Sequence, residues 1–276
     1  MLELLQKKTL LLWVFILLGP TLFLLLTDFS SGVNKKILRA QEHIHLHDYQ
    51  KAAELYEEIL LNPLSLEKMS MVVFQLSDLY LLYLNKPFKA TQAFTRFNKI
   101  KKLPLSWKVK SLEKMADIYF SFIKNFSMAA EYYSRLISIH PGIENRALYE
   151  YRLSLSYLHL KDYQKAREAF LKVMEGLEKN YRSLALFYTG ISYFEEQNWP
   201  MAIKWFSQCQ RDEFYSTLPS DKAMMSSFLL ANSYEMNGDL KGAYASYWPL
   251  LNSYPNSDVI KKRLQNVYQR RVARKR

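Results

Sequence analysis

Glycine is scarce in this chain: seven residues in 276, where average usage of ~7 % would supply about twenty. Proline is sparse too, at nine. Both residues punctuate tight turns and hairpins, so their scarcity argues against a sandwich or barrel and for helices. No Gly-rich phosphate loop is present; neither GxxxxGK nor GxGxxG occurs. Cysteine is nearly absent, with Cys209 alone. One thiol builds neither an intrachain disulfide nor a thiolate zinc site. No cysteine follows the N-terminal apolar run, which excludes lipoprotein processing. Apolar residues make up 49 % and charged residues 23 %, ordinary globular values that exclude wholesale disorder. Tyrosine and phenylalanine are plentiful, at 20 and 16, and suggest helices packed through aromatic side chains.

The net charge is +12, but it is concentrated at one end. Lys261, Lys262, Arg263, Arg270, Arg271, Arg274, Lys275 and Arg276 form a basic tail without an acid. This tail reads as a solvated helix end, as a contact for anionic lipid, or as a site for another polyanion or an acidic protein. No nucleic-acid motif accompanies it, and nucleic acid is not an expected partner.

Residues Thr9–Thr27 carry no charge. About 20 apolar residues span a bilayer core as a helix, and a secretory apolar region is usually shorter, roughly 7–15 residues. Ser30 and Gly32 have the spacing of a cleavage site, but no A-x-A is present. The stretch therefore reads as an uncleaved transmembrane helix or signal anchor, with a cleaved signal as the alternative. Gly19 and Pro20 would kink it. Lys7 and Lys8 precede it, while Lys35, Lys36 and Arg39 follow, so the positive-inside rule is nearly balanced. The short lysine-flanked N-terminus favours the bulk of the chain across the membrane. In a bacterium that is the periplasm, on the inner membrane; the cytoplasmic orientation stays open.

Beyond residue 32 a pattern recurs. HDYQKAAELYEEIL (47–60) and KDYQKAREAFLKVM (161–174) share DYQKA. Four further blocks fit the frame of an aromatic or leucine, a small alanine, and an aromatic four residues later. The alanines are Ala52, Ala90, Ala129, Ala166, Ala202 and Ala243. Upstream sits a small residue three before a tyrosine: Ser77 and Tyr80, Ala116 and Tyr119, Ser154 and Tyr157, Gly190 and Tyr193, Ala231 and Tyr234, with Ala40 and His43 as the variant first copy. Pro63, Pro104, Pro141 and Pro255 close several units, as prolines do after helices.

This pattern resembles the tetratricopeptide repeat, W-x₂-L-G-x₂-Y…A-x₃-F…P. Leu186, Gly190, Tyr193, Trp199, Ala202 and Phe206 match it best, and six copies in order cover roughly residues 33–255. The units run longer than the usual 34 residues, which points to longer linkers and is similar to bacterial envelope proteins of this family. Together with the N-terminal apolar run, the resemblance implies an all-α chain: a flank (1–8), the transmembrane helix (9–27), a linker (28–32), a right-handed α-solenoid of about six helix pairs (33–255), and a capping helix with the basic tail (256–276). Each unit would pair helix A with helix B, the small residue on A letting B approach. No pair buries its face alone, so several must stack.

Catalytic signals are weak. His43 and His47 are four apart and share a helix face with His45 nearby, yet no HExxH forms. Glu57 and Glu58 are adjacent and diverge; Glu195 and Glu196 do the same. Cys209 falls where the repeat wants a small buried residue. No cofactor and no metal is expected, nor an enzyme. By the geometry of the resembled family, the concave groove is lined by Tyr151, Leu155 and Leu158, then Phe187, Ile191 and Phe194, then Phe228, Asn232 and Glu235. Tyr151, Phe187, Ile191, Phe194 and Phe228 are the expected anchors. An apolar groove suits a partner's helix or extended segment, not the carboxylate clamp of some repeat domains. The expected function is a membrane-anchored interaction scaffold; the alternative is a holdase for exported envelope proteins.

Overall fold

The computed structural model describes residues 32–139, 144–176 and 179–274. They form thirteen α-helices and no strand. The stretch 9–27, with its flanks, lies outside the described residues, as do Lys275 and Arg276. Among the described residues no helix is long and apolar enough to cross a membrane. The chain separates into two compact units, Met1–Lys108 and Val109–Arg276.

The N-terminal unit holds α1 (32–45) with α2 (Tyr49–Ile59), then α3 (Leu66–Asp78) with α4 (Pro87–Phe97). Helix α5 (Leu105–Asp117) begins in it. The C-terminal unit continues with α6 (Phe126–Ile139), the pairs α7 (Arg146–His159) and α8 (Tyr163–Glu175), α9 (Lys179–Glu195) and α10 (Trp199–Arg211), α11 (Ser220–Met236) and α12 (Leu240–Tyr247), and ends in α13 (Ser257–Ala273). Six A–B pairs and a final helix are thus present, in the order the repeats predict.

The recurring small residues are the contact between the helices of each pair. Ala40, Ala52, Ser77, Ala90, Ala116, Ala129, Ser154, Ala166, Ala202, Ala231 and Ala243 are all 0 % exposed. So are the aromatics four residues after the B-helix alanine: Tyr56, Phe94, Tyr133, Phe170, Phe206 and Tyr247. Burying each such side chain contributes about 1.5–3 kcal/mol. At Gly190 the approach is close: an added Cβ would lie 2.6 Å from Phe206 Cε1.

Each A–B turn is built alike. One residue takes positive φ: His47, Asn85, Lys124, Lys161, Gln197 or Gly238. The next residue's amide reaches back to the carbonyl of the tyrosine (or His43) in the small–x–x–Tyr signature. Asp48 bonds His43 at 2.8 Å, Asp162 bonds Tyr157 at 3.0 Å, Asn198 bonds Tyr193 at 2.9 Å and Asp239 bonds Tyr234 at 3.0 Å. In these four turns a second bond, from the positive-φ residue's amide to the carbonyl three back, completes a Schellman cap. The same Asp or Asn then caps helix B, accepting from the amide three residues on at Asp48, Asn125, Asp162, Asn198 and Asp239. Such caps contribute about 1 kcal/mol each. Lys86 makes no such bond, and Pro87 opens α4 instead.

In the second and third pairs helix A ends in a π-helical turn, Leu79–Tyr83 and Ile118–Ile123. There the capping amide sits one residue farther along: Lys86 bonds Tyr80 at 2.7 Å and Asn125 bonds Tyr119 at 2.9 Å. The inserted residue is absorbed by the helix end and leaves the A–B contact intact. Part of the long repeat period therefore lies inside helix A and not in a linker.

The contact at Gly190 yields a direct test. Gly190→Ala should force Phe206 aside and cost about 1–3 kcal/mol of stability, the usual penalty for overpacking, seen as a lowered thermal midpoint with the helical spectrum kept.

Candidate protein-binding surface

In the C-terminal unit the A helices α7, α9 and α11 are neighbours, and the expected groove residues divide into two kinds. Tyr151, Leu155, Leu158, Ile191 and Phe194 are half-buried and rest on the core formed by Phe170, Leu186, Phe206 and their neighbours. Tyr151 lies 5.4 Å from Tyr181 and 6.1 Å from Tyr188, ring to ring. Burial, and then the neighbouring Tyr188, push its hydroxyl well above the usual tyrosine range. Phe194 meets Trp199 edge-on at 5.3 Å. Asn232 is half-buried on α11.

Phe187 is different, and here the expectation is corrected. It is 2 % exposed, with its ring 5.0 Å from Tyr188 and 6.3 Å from Phe206. Gly190 has no side chain to hold α10 off, so Phe206 leans over this part of α9 and Phe187 joins the core. Phe228 is drawn toward the C-terminal end of the unit, stacked 5.2 Å from Tyr254 and edge-on to Tyr247 at 5.9 Å. Half-buried Tyr181, Leu184 and Tyr188 extend the apolar stripe along α9. Their i, i+3, i+7 spacing was a readable sign.

Part of the basic tail faces inward. Glu235 is 5 % exposed and receives Arg270 at 3.0 Å, Arg263 at 3.4 Å and the Tyr247 hydroxyl at 3.1 Å. Arg274 donates to the Gly238 carbonyl at 2.9 Å. Three of the eight tail cations therefore dock α13 onto the last pair. Lys261 pairs with Asp258 at 3.2 Å. Lys262 is exposed and Arg271 half-buried on α13. The same buried carboxylate removes Glu235 from the expected groove lining. Ile260, Leu264 and Val267 supply the apolar face of the cap.

A separate cavity of about 670 Å³ lies in the N-terminal unit, among α2, α3 and α4. Met69, Val73, Leu76 and Phe97 supply apolar lining, with Glu54, Glu57, Lys89 and Arg96 also on its walls. Burial opposes ionisation of Glu57, but donation from the Tyr80 hydroxyl and from Lys89 outweighs it and holds the carboxyl below its usual range. Glu58, also on the cavity wall, pairs with Lys36 at 3.0 Å. The two adjacent glutamates thus serve different cations.

The histidines belong to the first turn. His43 Nδ1 is 3.3 Å from the Asp48 carboxylate, and His47 Nδ1 is 2.7 Å from the Tyr49 hydroxyl. Among the described residues no group of three His, Cys, Asp or Glu could hold a metal ion. Glu195 and Glu196 diverge; Glu196 takes the Arg167 guanidinium at 2.6 Å. Cys209 is 0 % exposed, its Sγ 3.8 Å from the Ser183 carbonyl, and burial pushes its thiol up to about 12.

Residues 149–175, α7 and α8, match the tetratricopeptide repeat family model. A comparison with curated proteins finds no match. Among solved structures, the C-terminal part of a TPR repeat-containing protein from Cytophaga hutchinsonii is similar at TM-score 0.63 and 18 % identity, over 84 % of this chain and 87 % of that one. PilW, a widely conserved type IV pilus biogenesis factor, is similar at 0.52 and 15 %, over 86 % and 98 %. A Naa15/Naa10 structure bound to HypK-THB is similar at 0.61 and 15 %, over 88 % of this chain and 35 % of that one. At these identities the likeness is one of fold: an all-α helical repeat of the TPR kind.

Two outcomes follow from the buried groups. Glu235→Ala should leave two guanidiniums unmatched, cost about 1–3 kcal/mol, and raise hydrogen exchange in α13 ahead of α7–α10. Cys209 should resist a thiol-reactive probe in the folded chain and react only on unfolding, because the thiolate is the nucleophile.

Proposed function

We propose that this chain is a membrane-anchored interaction scaffold, which recruits or organises protein partners and performs no catalysis of its own. The observation that carries the reading is the apolar stripe of Leu155, Leu158, Ile191 and Phe194, with Tyr151 and Tyr188 beside it, half-buried across adjacent A helices. A rigid repeat core holds these side chains in place, so a partner meets a preorganised surface. The stripe is apolar and lacks a basic clamp, which suits the hydrophobic face of a partner's helix or an extended apolar segment. The uncharged Thr9–Thr27 stretch supports an anchor, and the lysine-flanked N-terminus supports an extracytoplasmic location for the repeats at a bacterial inner membrane.

In-cell photo-crosslinking tests this. A photoreactive residue replaces Leu158 or Phe194, with exposed Lys204 on α10 as the control. One dominant adduct, absent from the control, is the expected result. The double variant Ile191→Asp with Phe194→Asp should weaken partner capture by about 2 kcal/mol or more, the hot-spot range, while the chain stays helical. A smear of unrelated envelope proteins would instead mark a holdase. No adduct at either position, or equal adducts from Lys204, would refute the stripe as a binding surface.

A further inference from the structure

One edge of the N-terminal unit differs in character from the other. Three segments meet there: the first turn of α1 (32–36), the connection from α2 into α3 (60–68), and the stretch from α4 into α5 (98–108). The Lys36–Glu58 ion pair ties the first to the end of α2. Leu60, Leu61, Met69 and Ile100 line one cavity, and Trp107 lies 5.9 Å from Phe74, which also meets Phe97 at 6.5 Å. Together these segments hold seven lysines and a single acid, Glu67. Lys35, Lys99, Lys101, Lys102 and Lys108 are exposed. Two leucines stand among them, Leu61 at 81 % and Leu105 at 54 % exposure.

The opposite edge, where the A–B turns lie, exposes Leu46, Tyr83 and Phe88; around its turns stand Lys51, Lys86 and Lys89 with Asp48, and Lys89 is paired with Glu57, so it is less basic than the lysine edge.

We propose that the lysine edge docks onto an anionic membrane surface, with Leu61 and Leu105 reaching the headgroup region. The inference rests on reading residues 9–27 as a membrane span. Only residues 28–31 separate that stretch from α1, and a chain extends at most about 3.5 Å per residue. Residue 32 therefore sits within roughly 18 Å of the end of the span. The edge that carries residue 32 is the lysine edge. The A–B edge lies farther off by the length of α1, about 20 Å. Lysines near an anionic surface attract it within a Debye length, about 8–10 Å at physiological salt. Exposed leucines between lysines fit the boundary between headgroups and acyl chains.

The test uses the full chain in nanodiscs of phosphatidylcholine, with or without phosphatidylglycerol. A fluorophore is attached at Leu61→Cys or, for the opposite edge, Leu46→Cys; buried Cys209 stays unlabelled. Headgroup nitroxide lipid should quench the Leu61 probe more than the Leu46 probe, and more when phosphatidylglycerol is present. The Lys99→Gln, Lys101→Gln, Lys102→Gln triple variant, on the surface and expected to fold, should lose the phosphatidylglycerol-dependent part. Stronger quenching at Leu46, or quenching indifferent to phosphatidylglycerol and to the triple variant, would overturn the proposal. A chain that stays in the discs at high salt without lipid-charge dependence keeps the span and refutes the edge. A chain that leaves at high salt yet shows that dependence at low salt refutes the span and keeps the edge.

Discussion

Every described part of this protein depends on the closeness of helix A to helix B within a pair. That closeness is set by a small residue on each helix, and six such contacts are completely closed to solvent. Once the backbones are that near, the aromatic four residues after the B-helix alanine is sealed into the core, against its own helix A at Phe206 and Tyr247 and also against the next helix A at Phe170. Tyr56, Phe94, Tyr133, Phe170, Phe206 and Tyr247 are all fully buried. A helix pair still needs neighbours, since no single pair buries its apolar face alone. The turn chemistry protects the contact. A positive-φ residue, a back-reaching amide and a capping Asp or Asn fix where helix B begins relative to the A-helix tyrosine.

Much of this was legible in the sequence because the same contact is written six times. Ala52 or Ala166 alone says little, whereas a small residue, a tyrosine, an alanine and an aromatic in constant order define a pair. The long period was only half legible. Ser77 and Ala90 lie one residue farther apart than Ala40 and Ala52, and the structure places that residue in a π turn, where periodicity alone points to a linker. The Glu235 docking site was hidden for another reason. Arg263 and Arg270 are 28 and 35 residues away, and nothing local in a run of basic residues says that two of them face inward.

The candidate surface shows where positional rules stop. Tyr151, Phe187 and Phe228 each stand three residues before a small A-helix residue. A rule by position treats them as equivalent. Yet the small residue after Phe187 is glycine, and the missing Cβ brings Phe206 over it. Phe187 is sealed in, while Tyr151 stays half-buried. The stripe left for a partner is accordingly the one through Leu155, Leu158, Ile191 and Phe194. Similarly, part of the tail's charge holds the cap, while a lysine-rich edge lies on the N-terminal unit.

Whether that stripe is open in solution is the point on which the functional account turns. Hydroxyl-radical footprinting of the purified full chain, read by mass spectrometry, addresses it directly. The account predicts oxidation at Ile191, Phe194, Leu155 and Leu158, with Phe187, Phe206 and Tyr133 left unmodified. Silence at Ile191 and Phe194 together with modification at Phe187 would contradict it, since the stripe would then be closed and the packing around Gly190 different from that described.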